Sequence, residues 1–237
     1  MPFHAEVLFG SVMHLLVHCI MPGEPAENLA TLWLWIKDKY VEFGTKVRFG
    51  TMKMTMFSAG GGAKLRGTAS QIRCIGPVLH SLWKEVCKSN LRVYKQVELC
   101  LRTSVHLEQI LDENKEEFAL KGDVADDFEA TAWMHYDVFW ELREHFRKEK
   151  MQLFQLTQKG HSAMHAALLC RSLNPRFSWC FGAESWMATG RRLALACAKA
   201  SGNGNGVATT RLLIKRWLLA MHYTMQEPEK WAWRGQR

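Results

Sequence analysis

The chain has 237 residues, 48% hydrophobic and 23% charged, a composition that supports one large or two small cores and excludes a disordered polymer. No window approaches the roughly 18 uninterrupted apolar residues of a membrane span. The net charge of +8 is unevenly spread: residues 1–142 hold 15 Lys/Arg against 18 Asp/Glu, and residues 143–237 hold 16 against 5.

The most apolar segment, VLFGSVMHLLVHCIM at 7–21, carries His14 and His18 and lacks a basic leader and a small-residue cleavage site. A nuclear or cytoplasmic protein, not a secreted one, is therefore expected, with its seven cysteines as thiols. Residues 4–21 predict an apolar helix ended by MPGEP. A second helix is predicted over 25–43, with Pro25 in its first turn, Gly44 at its C-terminal cap, and Leu29, Leu32, Trp33, Ile36 and Tyr40 on one face. In MKMTMF, Met52, Met54 and Met56 alternate with Lys53 and Thr55, which predicts a short β-ribbon within 46–57. SAGGGAKLRG reads as a loop.

Helical periodicity resumes over 67–89, with Ile72, Ile75, Leu79, Leu82, Trp83 and Val86 inward and Pro77 expected to bend or restart the helix. Helices over 90–117 and 123–149 follow. The acidic run 108–129 ends the first, and its carboxylates Asp123, Asp126 and Asp127 favour the N-terminus of the second. Shorter helices are expected over 160–172, 182–200 and 206–225. The predicted fold is all-α, a bundle of seven to eight helices. It forms a single domain over 1–227, divisible near 150, with a mobile tail at 228–237.

The motifs exclude several chemistries. No CxxC pair supports a structural zinc site, and there is no GxSxG, GxGxxG or P-loop. His161 and His165 share one helix face at i, i+4, the spacing of two metal-binding imidazoles, but Ser162 stands where a zincin has its Glu. They are the weaker metal candidates, and no metal ligand set is assigned. Glu184, alone on its predicted helix, cannot hold two cations, which require several converging carboxylates. Trp179, Phe181 and Trp186 around it read as core packing, and Cys180 between them as a buried, inert thiol.

The stretch LTQKGHSAMHAALLCRSLNPRFSWCFGAESWMATGRRL resembles the C-terminal signature of eukaryotic cut-and-paste transposases with an RNase H-like core. It is similar to families related to the CACTA and KDZ groups and to protist mobile-element proteins. Lys159, His161, His165, Asn174, Pro175, Arg176, Trp179, Cys180 and Glu184 fall at matching positions. The resemblance implies an α-helical insertion followed by a helix bearing the third catalytic acid. Glu184 would be that acid, and the first two would be missing from this chain. Two positions depart from the pattern: Gln158 replaces a proline, and Gln71 a carboxylate.

The expected function is that of a truncated or domesticated transposase-derived helical protein, inactive in catalysis alone. Non-specific DNA binding would run through Arg176, Arg191, Arg192, Lys215 and Arg216. No cofactor is expected, and Mg²⁺ enters only if another segment completes the acidic site. The alternative is a helical interaction module without a nucleic-acid role. Self-association through the acidic and basic segments is a further expectation, and no membrane partner is expected.

Overall fold

The structure, a computed structural model, describes residues 5–57 and 62–178, together with Ile214, Lys215 and Leu218. The chain divides into two compact units, Met1–Trp179 and Cys180–Arg237. Among its described residues the first has six α-helices: α1 (Ala5–Leu15), α2 (Pro25–Glu42), α3 (Ala69–Val86), α4 (Arg92–Glu113), α5 (Gly122–Lys148) and α6 (Gln158–Leu168). The all-α class is as predicted. The two further helices expected, over 182–200 and 206–225, lie outside the described residues apart from 214, 215 and 218, whose backbone is helical.

The chain's most apolar segment is its central helix. Nine of the eleven residues of α1 are buried, and Leu8, Val12 and Met13 have no exposed surface. A helix apolar on all sides needs protein around its whole circumference. α3 and α4 pack on it, and the extended segment 62–66 crosses it, with Leu65 N–H donating to the Glu6 carbonyl at 2.7 Å. No helix among the described residues is long and apolar enough to cross a membrane.

α1 runs on into a π-helical turn, Leu16–Ile20, closed by Met21 N–H donating to the Leu16 carbonyl at 3.0 Å. The wider turn leaves carbonyls to satisfy, and the buried Asn28 of α2 does so. Its Nδ2 donates to the carbonyls of Val17 (2.8 Å), Met21 (3.1 Å) and Gly23 (2.7 Å), while its Oδ1 accepts from Gly23 N–H (3.1 Å). α2 buries Leu29, Leu32, Ile36 and Tyr40, the predicted stripe, with Trp33 half-buried at its edge. Gly44 follows in the left-handed region at φ +59°, as the predicted cap requires.

The predicted ribbon at 46–57 is corrected. Among the described residues there is no β-strand there, and Met54–Met56 form a 3₁₀ turn. A lone strand has no ladder partner for its peptide groups. Instead Met56 N–H bonds back to the Lys53 carbonyl at 2.9 Å, and the Met56 carbonyl takes Arg66 N–H at 2.7 Å. The turn sends Met52 and Phe57 into the core.

α3 opens with a reciprocal cap: Thr68 Oγ1 accepts from Gln71 N–H (3.3 Å), and Gln71 Oε1 accepts from Thr68 N–H (3.0 Å). Pro77 does not restart this helix, which is continuous through it. Gly76 beside it admits the Phe9 ring; a Cβ there would lie 3.0 Å from Phe9 Cζ.

α4 and α5 form an antiparallel pair, the spine of this unit. Thr103 faces His135 and His106 faces Asp127, while Arg92 lies opposite Glu141. One half of the pair packs on α1–α3 through Val97, Leu101, Phe139 and Leu142. The other half packs on α6 in a second core of Leu107, Leu111, Phe128, Ala132, Met164 and Ala167. Packing on α5 ties α6 to the rest of the first unit.

Candidate functional site

The segment Asn174–Pro175–Arg176 follows α6 and closes over the C-terminal end of α4. Asn174 is fully buried; its Nδ2 donates to the carbonyls of Asn114 (2.9 Å) and Glu117 (3.0 Å), and its backbone N–H donates to the Phe118 carbonyl (2.6 Å). Its Oδ1 accepts from Arg176 N–H at 3.0 Å, which turns the chain so that Arg176 points back at α4. The Arg176 guanidinium then donates to the Leu111 carbonyl (3.2 Å) and to Asp112 Oδ1 (2.6 Å). A helix C-terminus presents unsatisfied carbonyls and partial negative charge, and an amide and a guanidinium answer both.

Arg73 of α3 joins the same network. Its Nε donates to Glu108 Oε2 at 2.7 Å, and its Nη2 pairs with Asp112. Glu108 and Asp112, one turn apart on α4, thus hold arginines from two different elements. Burial pushes the Glu108 carboxyl above its ordinary range despite Arg73. Asp112 is also raised by burial, but hydrogen bonds from Arg176 and Arg73 outweigh this and hold it below its ordinary value. The network borders a cleft of about 630 Å³ between α1, α3 and α4, floored by Phe9, Gly76 and Pro77.

Of the five arginines and lysines expected to bind nucleic acid, Arg176 is thus held in an internal ion pair. Lys215 is exposed on helical backbone. Arg191, Arg192 and Arg216 lie outside the described residues, as does Glu184 with Trp179, Cys180, Phe181 and Trp186. Lys159 donates to Glu6 Oε1 at 3.3 Å.

Two of the acids available as companions for Glu184, Asp126 and Asp127, have other partners. Asp126 pairs with Arg171, and Asp127 takes His106 Nε2 at 2.8 Å and the Thr131 hydroxyl at 3.1 Å. The pair of Mg²⁺ ions that the resemblance implies needs acids converging on cations about 3.5–4 Å apart, and Glu184 itself lies outside the described residues. Among the described residues, no three His, Cys, Asp or Glu side chains gather around one point. His161 and His165 are exposed, and their Nε2 atoms are 2.9 Å apart.

No family model, curated protein or solved structure matches the chain.

Two features escaped the sequence reading. The Thr68–Gln71 cap carries a readable signal, T-x-x-Q before an apolar stripe; Gln71 sits there as a capping residue, with its Nε2 also donating to the Arg48 carbonyl at 3.1 Å. The Arg73–Glu108–Asp112–Arg176 network has no local signal, because its arginines lie 35 to 68 positions from the acids they pair with or neighbour on α4.

Proposed function

We propose that the protein is a transposase-derived helical protein that binds DNA without sequence preference through basic side chains of residues 180–237. Residues 1–179 serve as the folded body and supply no cleavage chemistry in this reading. Glu184 is then the relic of a catalytic acid, and Mg²⁺ chemistry would need companion acids from another segment.

The observation that carries the reading is the distribution of charge. Residues 180–237 contain nine Lys/Arg and three Asp/Glu, against 22 and 20 in residues 1–179. In the body, Arg73, Arg92, Arg143, Arg147, Arg171 and Arg176 all pair with carboxylates. Such pairs lower the field that the body offers a polyanion, so the surplus that attracts phosphate lies in Arg191, Arg192, Lys215, Arg216 and their basic neighbours. Fluorescence anisotropy of a labelled random-sequence duplex, titrated with the full chain at stepped salt, tests this. Binding should appear at low salt and log K should fall linearly with log salt. Affinity indifferent to salt, or none at low salt, removes the proposal.

A second reading, a protein-interaction module, has its own observation. Trp133, Met134 and Trp140 are about 45% exposed on α5, and the two tryptophans, seven residues apart, share a face. Large aromatics are enriched in interfaces. Sedimentation in the absence of DNA tests it: self-association lost in a Trp133→Ala/Trp140→Ala variant supports it, and a monomer at all concentrations rejects it.

A further inference from the structure

His161 and His165 stand one turn apart on α6 with their rings perpendicular (89°) and centroids 4.5 Å apart, so that the two Nε2 atoms meet at 2.9 Å. Both residues are exposed. The chain's other i, i+4 pair, His14 and His18, differs: its rings are tilted by 31° at 4.4 Å, and His14 is half-buried beside the π turn. Only the α6 pair converges nitrogen on nitrogen.

We propose that His161 and His165 form a two-imidazole site for a divalent transition metal of the zinc, nickel and copper class. The argument is geometric. In the metal-free pair, one imidazole carries its hydrogen on Nε2 and donates it to the lone pair of the other. For ligation, that ring moves its hydrogen to Nδ1, and both Nε2 lone pairs then face a single ion with no net proton lost. Tetrahedral bonds of about 2.0–2.1 Å to zinc place two ligand nitrogens roughly 3.3–3.4 Å apart. The present separation needs to open by only about 0.4–0.5 Å, which rotation about the side-chain bonds supplies.

Among the described residues, the sequence neighbours of the pair leave it free to act. Ser162, between them in sequence, donates its hydroxyl to the Gln158 carbonyl at 3.1 Å, and Lys159 is directed to Glu6. Neither occupies the imidazole lone pairs. Exposure leaves the remaining coordination positions to water, so the ion would be held by the chelate alone. Imidazole favours this metal class over Mg²⁺ and Ca²⁺, which prefer oxygen. The chelate would bridge the first and second turns of α6. A helix of eleven residues is marginal by itself, so the bound ion would favour its helical state.

Long-range ¹H–¹⁵N correlation spectra of the imidazoles in the full chain, titrated with Zn²⁺ alone, test the site. Spectra of His161→Gln and His165→Gln assign the two rings. In the wild-type chain, both should respond together at one equivalent, each settling into the form with nitrogen-bound metal at Nε2 and hydrogen at Nδ1. In either variant, the remaining ring should need on the order of tenfold or more Zn²⁺, because the second ligand no longer acts at high effective concentration. No response of the two rings, a response of one alone, or unchanged Zn²⁺ demand in both folded variants would overturn the proposal. Far-ultraviolet circular dichroism establishes that the variants are folded.

Discussion

Arg176 reaches from the turn after α6 to the last turn of α4, where its Nη1 lies 2.6 Å from Asp112 Oδ1 and 3.2 Å from the Leu111 carbonyl. The contact joins segments 64 residues apart and shares Asp112 with Arg73 of α3. Three elements therefore meet at the Asp112 carboxylate, and one of the arginines that reaches it, Arg176, is a residue that the sequence pattern offers as a DNA contact.

Replacing this arginine separates the two roles. Arg176→Ala should destabilise the fold by about 1–2 kcal/mol, since it removes charge-assisted hydrogen bonds that remain partly open to solvent. Its effect on DNA affinity in the folded protein should be small. Urea unfolding beside anisotropy titration measures both. A variant with wild-type stability and sharply weakened DNA binding would show that the ion pair is not the residue's main role.

Two buried asparagines should matter more. Asn174→Ala strips donors from the Asn114 and Glu117 carbonyls, and Asn28→Ala strips them from Val17, Met21 and Gly23. Each should cost about 2–3 kcal/mol, the range for leaving buried polar groups unpaired. Denaturant midpoints within experimental error of wild type would contradict the roles assigned to these amides.

The network also makes opposite predictions for its two acids. Burial raises Glu108 above its ordinary 4.5, so the folded state favours its protonated form, and its contribution to stability declines as pH rises through the raised value. Asp112 lies below its ordinary 3.8 once its arginines outweigh burial. Its contribution is present above 3.8 and is lost as pH falls through the lowered value. Glu108→Gln keeps an acceptor for Arg73 without the buried charge. At pH 7 it should be as stable as wild type or more so, and that relative advantage should shrink toward pH 4. An advantage that grows on acidification would reverse the assignment.

Gly10 tests the crossing over α1. A Cβ at this position would lie 2.6 Å from Leu65 N and from Lys64 N and Cα, all backbone atoms that cannot swing aside. Gly10→Ala should cost about 1–3 kcal/mol through overpacking, although alanine is the better helix former. Stabilisation by this substitution would mean that segment 62–66 does not lie against α1.

Much of the helical framework is legible because burial imposes periodicity. The stripes of α2 and α3 and the bounds of α1 through α6 lie within a few residues of where apolar spacing, Pro25 and Gly44 place them. What is not legible depends on partners distant in sequence. Met52, Met54 and Met56 alternate like a strand, but pairing needs a neighbour that no local pattern reveals. Within the acidic run 108–129, Glu108 and Asp112 are set apart from Glu113 and Glu116 only by what α3 and residue 176 bring to them. Asn174 precedes a proline, which by itself marks only a turn. Its burial follows from the α4–α5 loop folding over it, which no local spacing reveals.

The most direct test of the proposed function is the salt dependence of DNA binding in the full chain and in an Arg191→Gln/Arg192→Gln/Lys215→Gln/Arg216→Gln variant. If these side chains meet phosphates, wild type should give a steep negative slope of log K against log salt. The variant's slope should be shallower by roughly 0.9 for each contact removed. Equal slopes and equal affinities in the two proteins, or no binding by either at low salt, would contradict the assignment of DNA binding to residues 180–237.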